Sequence, residues 1–242
     1  MRIKLDLGNP VVTHQRILLH GSSNAGKTFL AGSAMAHYIS EGKKVKFIDT
    51  LGEEGTRSIA GMGLEDGIAE TISTYDDFTE ILKEVSKDGV DLLCLDSLKF
   101  MWRFIKDKKI GKGKEPVISK SSTDWQDCYG LFDSMLADLI AATKDLIVLC
   151  PSDISRDAVN DTMMVSPDLP GRKIPDTVGI FDLVGYSQAS PIGSKMRRVV
   201  HFEPMAGTIT KARSRVAFTK GLVVADGTDA WKQLQEEIDT HV

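Results

Sequence analysis

Residues 21 to 28 read Gly21-Ser22-Ser23-Asn24-Ala25-Gly26-Lys27-Thr28 and fill the pattern G-x-x-x-x-G-K-[ST] position by position. No other stretch narrows the choice of fold as much, because this loop works only between a strand and a helix. Gly21 and Gly26 allow backbone conformations that a Cβ forbids, so successive N–H groups can turn inward around an anion. Lys27 reaches the β- and γ-phosphates of a nucleotide, the Thr28 hydroxyl supports Mg²⁺, and the helix that follows presents its positive end to the phosphates. Both flanks fit. Arg16-Ile17-Leu18-Leu19-His20 is a short apolar run, and Thr28 to Ser40 carries Phe29, Leu30, Ala34, Met35, Tyr38 and Ile39 at near-helical spacing. Gly21 through Thr28, with Phe29 behind them, are therefore the expected nucleotide-binding residues.

Past this helix, Glu41-Gly42 reads as a stop and Val45 to Asp49 as a second strand. Thr50-Leu51-Gly52-Glu53-Glu54-Gly55 is then an acidic, glycine-flanked loop at the carboxyl end of a strand, the edge where open parallel sheets bind ligands. Thr71-Ile72-Ser73 predicts a short third strand, and Thr74 a cap for a helix bearing Phe78, Ile81, Leu82 and Val85. The run Leu92-Leu93-Cys94-Leu95-Asp96-Ser97 has the composition of a buried parallel strand ending in a carboxylate. Asp96 is assigned to Mg²⁺ through a water molecule, and Ser97 is a candidate water or phosphate partner. Ser97 and Leu98 follow Asp96, so no glutamate adjoins it and the base that activates water must come from elsewhere. Glu54 and Glu53 are the candidates, since Gly52 and Gly55 leave either able to turn inward.

Residues 103 to 120 hold seven basic residues, Arg103, Lys106, Lys108, Lys109, Lys112, Lys114 and Lys120, against Asp107 and Glu115. With Gly111 and Gly113 inside it, this predicts a mobile basic loop able to neutralise phosphates of DNA or RNA, with Trp102, Phe104 and Trp125 flanking it as stacking or core residues. The chain's net charge is -4, so nucleic-acid contact must be a local patch. Thr123 to Lys144 predicts a long amphipathic helix and Leu146 to Cys150 a strand, after which Ser152 or Asp153 can sense a γ-phosphate. Residues 154 to 178 predict an extended loop or hairpin, Asp182 to Tyr186 and Arg197 to Phe202 a strand pair, Val216 to Phe218 a strand, and Asp229 to Asp239 a helix that docks on the sheet through Trp231, Leu234 and Ile238. Residues 1 to 15 predict a covering arm.

The 242 residues suffice for one α/β domain, and the absence of an apolar run of about 18 residues argues against a membrane span. No secretory signal is visible at the amino terminus, which makes the cytoplasm of a bacterial or phage-infected cell the expected location. Cys94, Cys128 and Cys150 lack metal-ligand spacing and read as small buried residues.

Over about residues 14 to 222, this order of phosphate loop, Asp-x-x-x-Glu-Glu-Gly, Leu95-Asp96-Ser97, basic stretch, long helix, long loop and late Lys-x-Arg resembles the RecA-like recombinase core. The compact phage relatives that act in single-strand annealing and recombination are the most similar. The resemblance implies a mostly parallel central sheet flanked by helices, with antiparallel strands added toward the carboxyl terminus, in a single domain spanning 1–242. It implies a DNA-stimulated, Mg²⁺-dependent ATPase acting on single-stranded DNA in recombination, annealing or repair, with a single-strand-binding protein as a possible partner. Stretches 105 to 122 and 152 to 178 would be its DNA-binding loops. Lys211 and Arg213 would reach a neighbour's γ-phosphate across a head-to-tail ring or filament. A DNA motor or packaging ATPase, or a nucleotide-gated interaction module without DNA, are the alternatives.

Overall fold

The computed structural model describes residues 15–50, 54–64, 67–114, 123–157, 162–192, 195–203, 208–210, 222–223 and 230–241. The elements run β1 (Arg16–Gly21), α1 (Lys27–Ser40), β2 (Val45–Asp49), α2 (Glu54–Ala60), β3 (Ala69–Thr71), α3 (Tyr75–Asp88), β4 (Leu92–Asp96), α4 (Leu98–Ile110), α5 (Asp124–Ala142), β5 (Asp145–Asp157), β6 (Thr162–Pro167), α6 (Ile174–Ile180), β7 (Leu183–Ile192), β8 (Lys195–His201), β9 (Thr208–Thr210), β10 (Leu222–Val223) and α7 (Ala230–His241). The sheet order is β10-β8-β7-β1-β5-β4-β2-β3. From β7 to β3 all pairings are parallel, whereas β8 and β10 add antiparallel strands at the late edge. The expected α/β class and strand directions are those observed.

Buried parallel strands are apolar on both faces, and alternate residues sort into two cores. Leu18, Ile48, Leu93, Leu95, Val148 and Cys150 face one core with α3, α4 and α5, while Ile17, Leu19, Phe47, Cys94, Ile147 and Leu149 face the other with α1 and α7. Thr74 does cap α3, and in a full capping box: its hydroxyl accepts from the Asp77 N–H and Asp77 Oδ2 accepts from the Thr74 N–H at 2.9 Å. Those bonds, with the Ser73 N–H the largest contributor, hold the Asp77 carboxyl below the usual carboxylate range. All three cysteines are free and buried, as their setting predicts, and burial pushes the Cys150 thiol up to about 12.

Several local expectations need correction. The basic stretch is helical as far as Ile110, because Leu98, Met101, Phe104 and Ile105 recur at three- and four-residue steps and bury against the first core. Charge counting hid this periodicity. A turn follows from Gly111 to Lys114, closed by the Lys114 N–H on the Gly111 carbonyl at 3.1 Å, and residues 115 to 122 lie outside the described residues. The third strand is Ala69–Thr71, two residues earlier than expected. Helix α7 packs on α1 as well as on the sheet edge at β10: Trp231 meets Tyr38 edge-on at 6.0 Å, and the Trp231 N–H donates to Ser33 Oγ at 3.1 Å. Between 152 and 178, β5 continues to Asp157 and returns antiparallel as β6, the hairpin alternative, and α6 then leads back to the sheet. The arm at 1 to 14 and the strand expected at 216 to 218 lie outside the described residues.

Among the described residues no helix is long and apolar enough to cross a membrane.

Candidate functional site

The carboxyl ends of β1 and β4, with Pro151 midway along β5, border a cleft of about 350 Å³. Gly21, Ser23, Asn24, Ala25, Gly26, Lys27, Thr28 and Phe29 line it, which brings together the expected loop residues apart from Ser22. Gly21 is required by proximity: a Cβ there would lie 2.1 Å from the Ser187 carbonyl oxygen on β7. Asn24 at φ 60 and Gly26 at φ 93 take left-handed conformations that curl the loop into α1. Lys27 Nζ donates to the carbonyls of Gly21 at 2.9 Å and Ser22 at 2.8 Å. Burial lowers its pKa, and the Asp96 carboxylate opposes that shift.

Asp96 is nearly fully buried, and its Oδ2 accepts from the Thr28 hydroxyl at 3.0 Å. One strand, β5, stands between β1 and β4, so the loop and Asp96 meet across it rather than as sheet neighbours. Thr50 locks the end of β4. Its N–H donates to the Asp96 carbonyl at 2.6 Å, and its Oγ1 accepts from the Ser97 N–H at 2.6 Å.

These residues fit a magnesium nucleotide. A Thr28 hydroxyl whose proton is held by Asp96 keeps its lone pairs for a cation, and the carboxylate supplies the negative charge a hard cation requires. Ser97 Oγ also lines the cleft, is buried, and has no hydrogen-bond partner among the described residues, which leaves it available to a ligand. Of the two candidate sensors, Ser152 hydrogen-bonds His20 Nδ1 at 2.9 Å and Asp153 is exposed on the hairpin, while Pro151, the residue before them on β5, lines the site.

The acidic loop is shorter than expected, since Glu54 is the first residue of α2. Gly55 is buried in that helix, where a Cβ would come within 3.1 Å of Asp49 Oδ2, so it serves close packing rather than loop freedom. Gly55, Ser58 and Met62 turn one side of α2 and its exit toward the cleft. Glu53, Lys211 and Arg213 lie outside the described residues.

On α4, Arg103, Lys108 and Lys109 are exposed and Lys106 is half-buried, with Lys112 and Lys114 exposed in the turn beyond. Lys108 pairs with Asp76 and lies over the Tyr75 ring at 5.3 Å. Trp102 stacks on Trp125 at 6.2 Å and on Tyr129 at 5.5 Å, and meets Phe132 edge-on at 5.9 Å, so the flanking aromatics form a half-buried seam between α4 and α5. Phe104 is in the core.

Sequence reasoning missed Thr50, Ser187 and Arg198. Ser187 Oγ donates to the Ala25 carbonyl at 2.6 Å, and Arg198, which lines the cleft, donates from Nε to the Asn24 carbonyl at 3.0 Å. The pair Arg197-Arg198 was a local signal for Arg198, and Ser187 had none.

The family model of the AAA domain matches residues 13–214, which takes in every element of this cleft. The chain belongs to the AAA domain family. Phosphate loop, Asp96 and a mostly parallel sheet together make this AAA domain a P-loop ATPase domain. Among solved structures it is similar to the flagellar accessory protein FlaH from Methanocaldococcus jannaschii, at 14% identity over 87% of this chain and 85% of that one, with a TM-score of 0.46. Among curated proteins no sequence matches.

Proposed function

We propose that this AAA domain is a Mg²⁺-dependent ATPase whose turnover is stimulated by single-stranded DNA, of the kind found in the compact phage RecA relatives that serve recombination, annealing or repair. The observation that carries the ATPase half is the Thr28 to Asp96 hydrogen bond at 3.0 Å beside Lys27. Lys27 and the loop N–H groups would hold the phosphates, Thr28 and Asp96 would hold Mg²⁺, the latter through water, and Mg²⁺ would offset charge that develops on the transferred phosphoryl group. Glu54, at the start of the helix that borders the cleft, is our candidate for orienting the attacking water, with Glu53 as the alternative.

Support for DNA comes from α4 and the turn after it, where Arg103, Lys106, Lys109, Lys112 and Lys114 recur every two or three residues and are exposed or half-buried. Cations so spaced displace counterions from a phosphate backbone without reading its sequence. Lys211 and Arg213 remain our candidates for reaching a neighbour's nucleotide in a head-to-tail ring or filament.

The test is phosphate release by the full chain, with and without Mg²⁺, single strands or duplex, across a salt series. Magnesium-dependent turnover stimulated by single strands and weakened steeply by salt is expected. Stimulation by duplex alone would favour a motor, and no stimulation by either would leave a nucleotide-gated interaction module.

A further inference from the structure

Two side chains far along the chain hold carbonyls of the phosphate loop. Ser187, fully buried on β7, binds the Ala25 carbonyl, and Arg198 on β8 binds the Asn24 carbonyl. In a trans peptide the C=O and the next N–H point in opposite directions. Holding the Asn24 carbonyl therefore fixes where the Ala25 N–H points, and holding the Ala25 carbonyl fixes the Gly26 N–H. Both carbonyls are drawn toward the β7–β8 hairpin, which leaves both N–H groups turned from it. Asn24 and Gly26 are the residues with left-handed backbone in this loop, and such conformations persist only when surrounding contacts impose them. Donation from a guanidinium is a strong form of that imposition.

We propose that Arg198 and Ser187 are positioning residues of the nucleotide site, which aim the Ala25 and Gly26 N–H groups at the phosphate adjacent to the loop. The proposal rests on the nucleotide-binding reading above. It sets a particular demand on the late hairpin: β7 and β8 must be in place before the motif can bind tightly, even though the motif lies entirely within residues 21 to 28. It also distinguishes Arg198 from Arg197, the preceding residue on the same strand, which is exposed.

The experiment compares the full chain with Arg198→Ala, Arg198→Lys, Ser187→Ala, Arg197→Ala and Lys27→Ala, reading Mg·ADP and Mg·ATP affinity by calorimetry and the backbone amide resonances of Ala25 and Gly26 without nucleotide. Arg198→Ala should weaken ADP and ATP alike by about tenfold, the loss expected for one hydrogen bond from a charged donor. It should move the Ala25 amide resonance, while Ser187→Ala moves that of Gly26. Arg198→Lys should recover part of the loss, and Arg197→Ala should leave affinity unchanged. An equal loss in Arg197→Ala would overturn the proposal in favour of a general charge effect, as would unmoved amides in Arg198→Ala. Should Ser187→Ala fail to fold, Arg198→Ala and Arg198→Lys still decide the matter. Lys27→Ala separates the two levels: retained nucleotide affinity there removes the nucleotide reading itself, whereas lost affinity there with undiminished affinity in Arg198→Ala removes only the positioning role.

Discussion

The phosphate loop and the basic edge of α4 are both charged and both open to solvent, yet they are built in opposite ways. Around the loop, several polar groups have partners distant in sequence: Thr28 with Asp96, Thr50 with Ser97, Ser187 with Ala25, and Arg198 with Asn24. Along α4 and the turn after it the cations are exposed or half-buried, and Lys108 makes an exposed ion pair with Asp76. A cross-strand network fixes one geometry, because leaving any of its buried members unpaired is costly. An exposed row of lysines fixes only a sign of charge, which suits a ligand held by its backbone rather than by its shape.

That contrast can be broken most directly at Lys27. Lys27→Ala should weaken Mg·ATP binding by about 100-fold or more, since it strips a charge partner from the phosphates in a partly buried site. The combined variant Arg103→Ala, Lys106→Ala, Lys109→Ala should leave that affinity unchanged when DNA is absent, and calorimetry on both reads the difference. Next come the glycines. Gly21→Ala should cost about 3 kcal/mol in urea unfolding, because its Cβ meets the Ser187 backbone at 2.1 Å. At Gly113, which has φ +74 and nothing within 4 Å of a Cβ, Gly113→Ala should cost only the left-handed strain of about 1 kcal/mol.

The same triple variant sharpens the other side of the comparison. If α4 grips single-stranded DNA, removing three cations should lower the salt slope of binding by about 2, measured by fluorescence anisotropy. An unchanged slope would remove α4 from the DNA surface.

A pH series gives a smaller effect with a definite sign. Burial lowers the Lys27 pKa in the folded chain, whereas a bound phosphate favours its charged form. Nucleotide binding should therefore take up protons in the window between the two values. Affinity should fall as pH rises through Lys27's lowered value, reached below 10.5, by up to about tenfold per pH unit, whereas calorimetric proton uptake should vanish in Lys27→Ala. The smallest expected effect is at Lys108, where Lys108→Ala should change stability by less than about 0.5 kcal/mol because the pair with Asp76 is exposed. A larger change in urea unfolding would mean that the α4 edge is structurally tied in the way the loop is.

These two regions also differ in how far the sequence disclosed them. The phosphate loop was legible because its chemistry dictates residue types at fixed local spacing, and Asp96 because a carboxylate at the end of an apolar run has few structural uses. Ser187 and Arg198 were not, since their contacts span 162 and 174 residues and leave no local pattern. The seven basic residues from Arg103 to Lys120 drew attention away from Leu98, Met101, Phe104 and Ile105 on α4, whose spacing is what settles helix against loop. Strand order needed the structure too: nothing local in Leu146 to Cys150 says that it wedges between the strands bearing Gly21 and Asp96.

Strand β5 has a mechanical consequence of its own. It passes without interruption from the middle of the sheet, past Pro151 at the cleft, to Asp157 in the projecting hairpin. Six residue steps of extended chain amount to about 20 Å, so a swivel of about 5° where the strand leaves the sheet would sweep its outer tip through about 2 Å. Such a swivel would turn about Pro151, on the wall of the cleft.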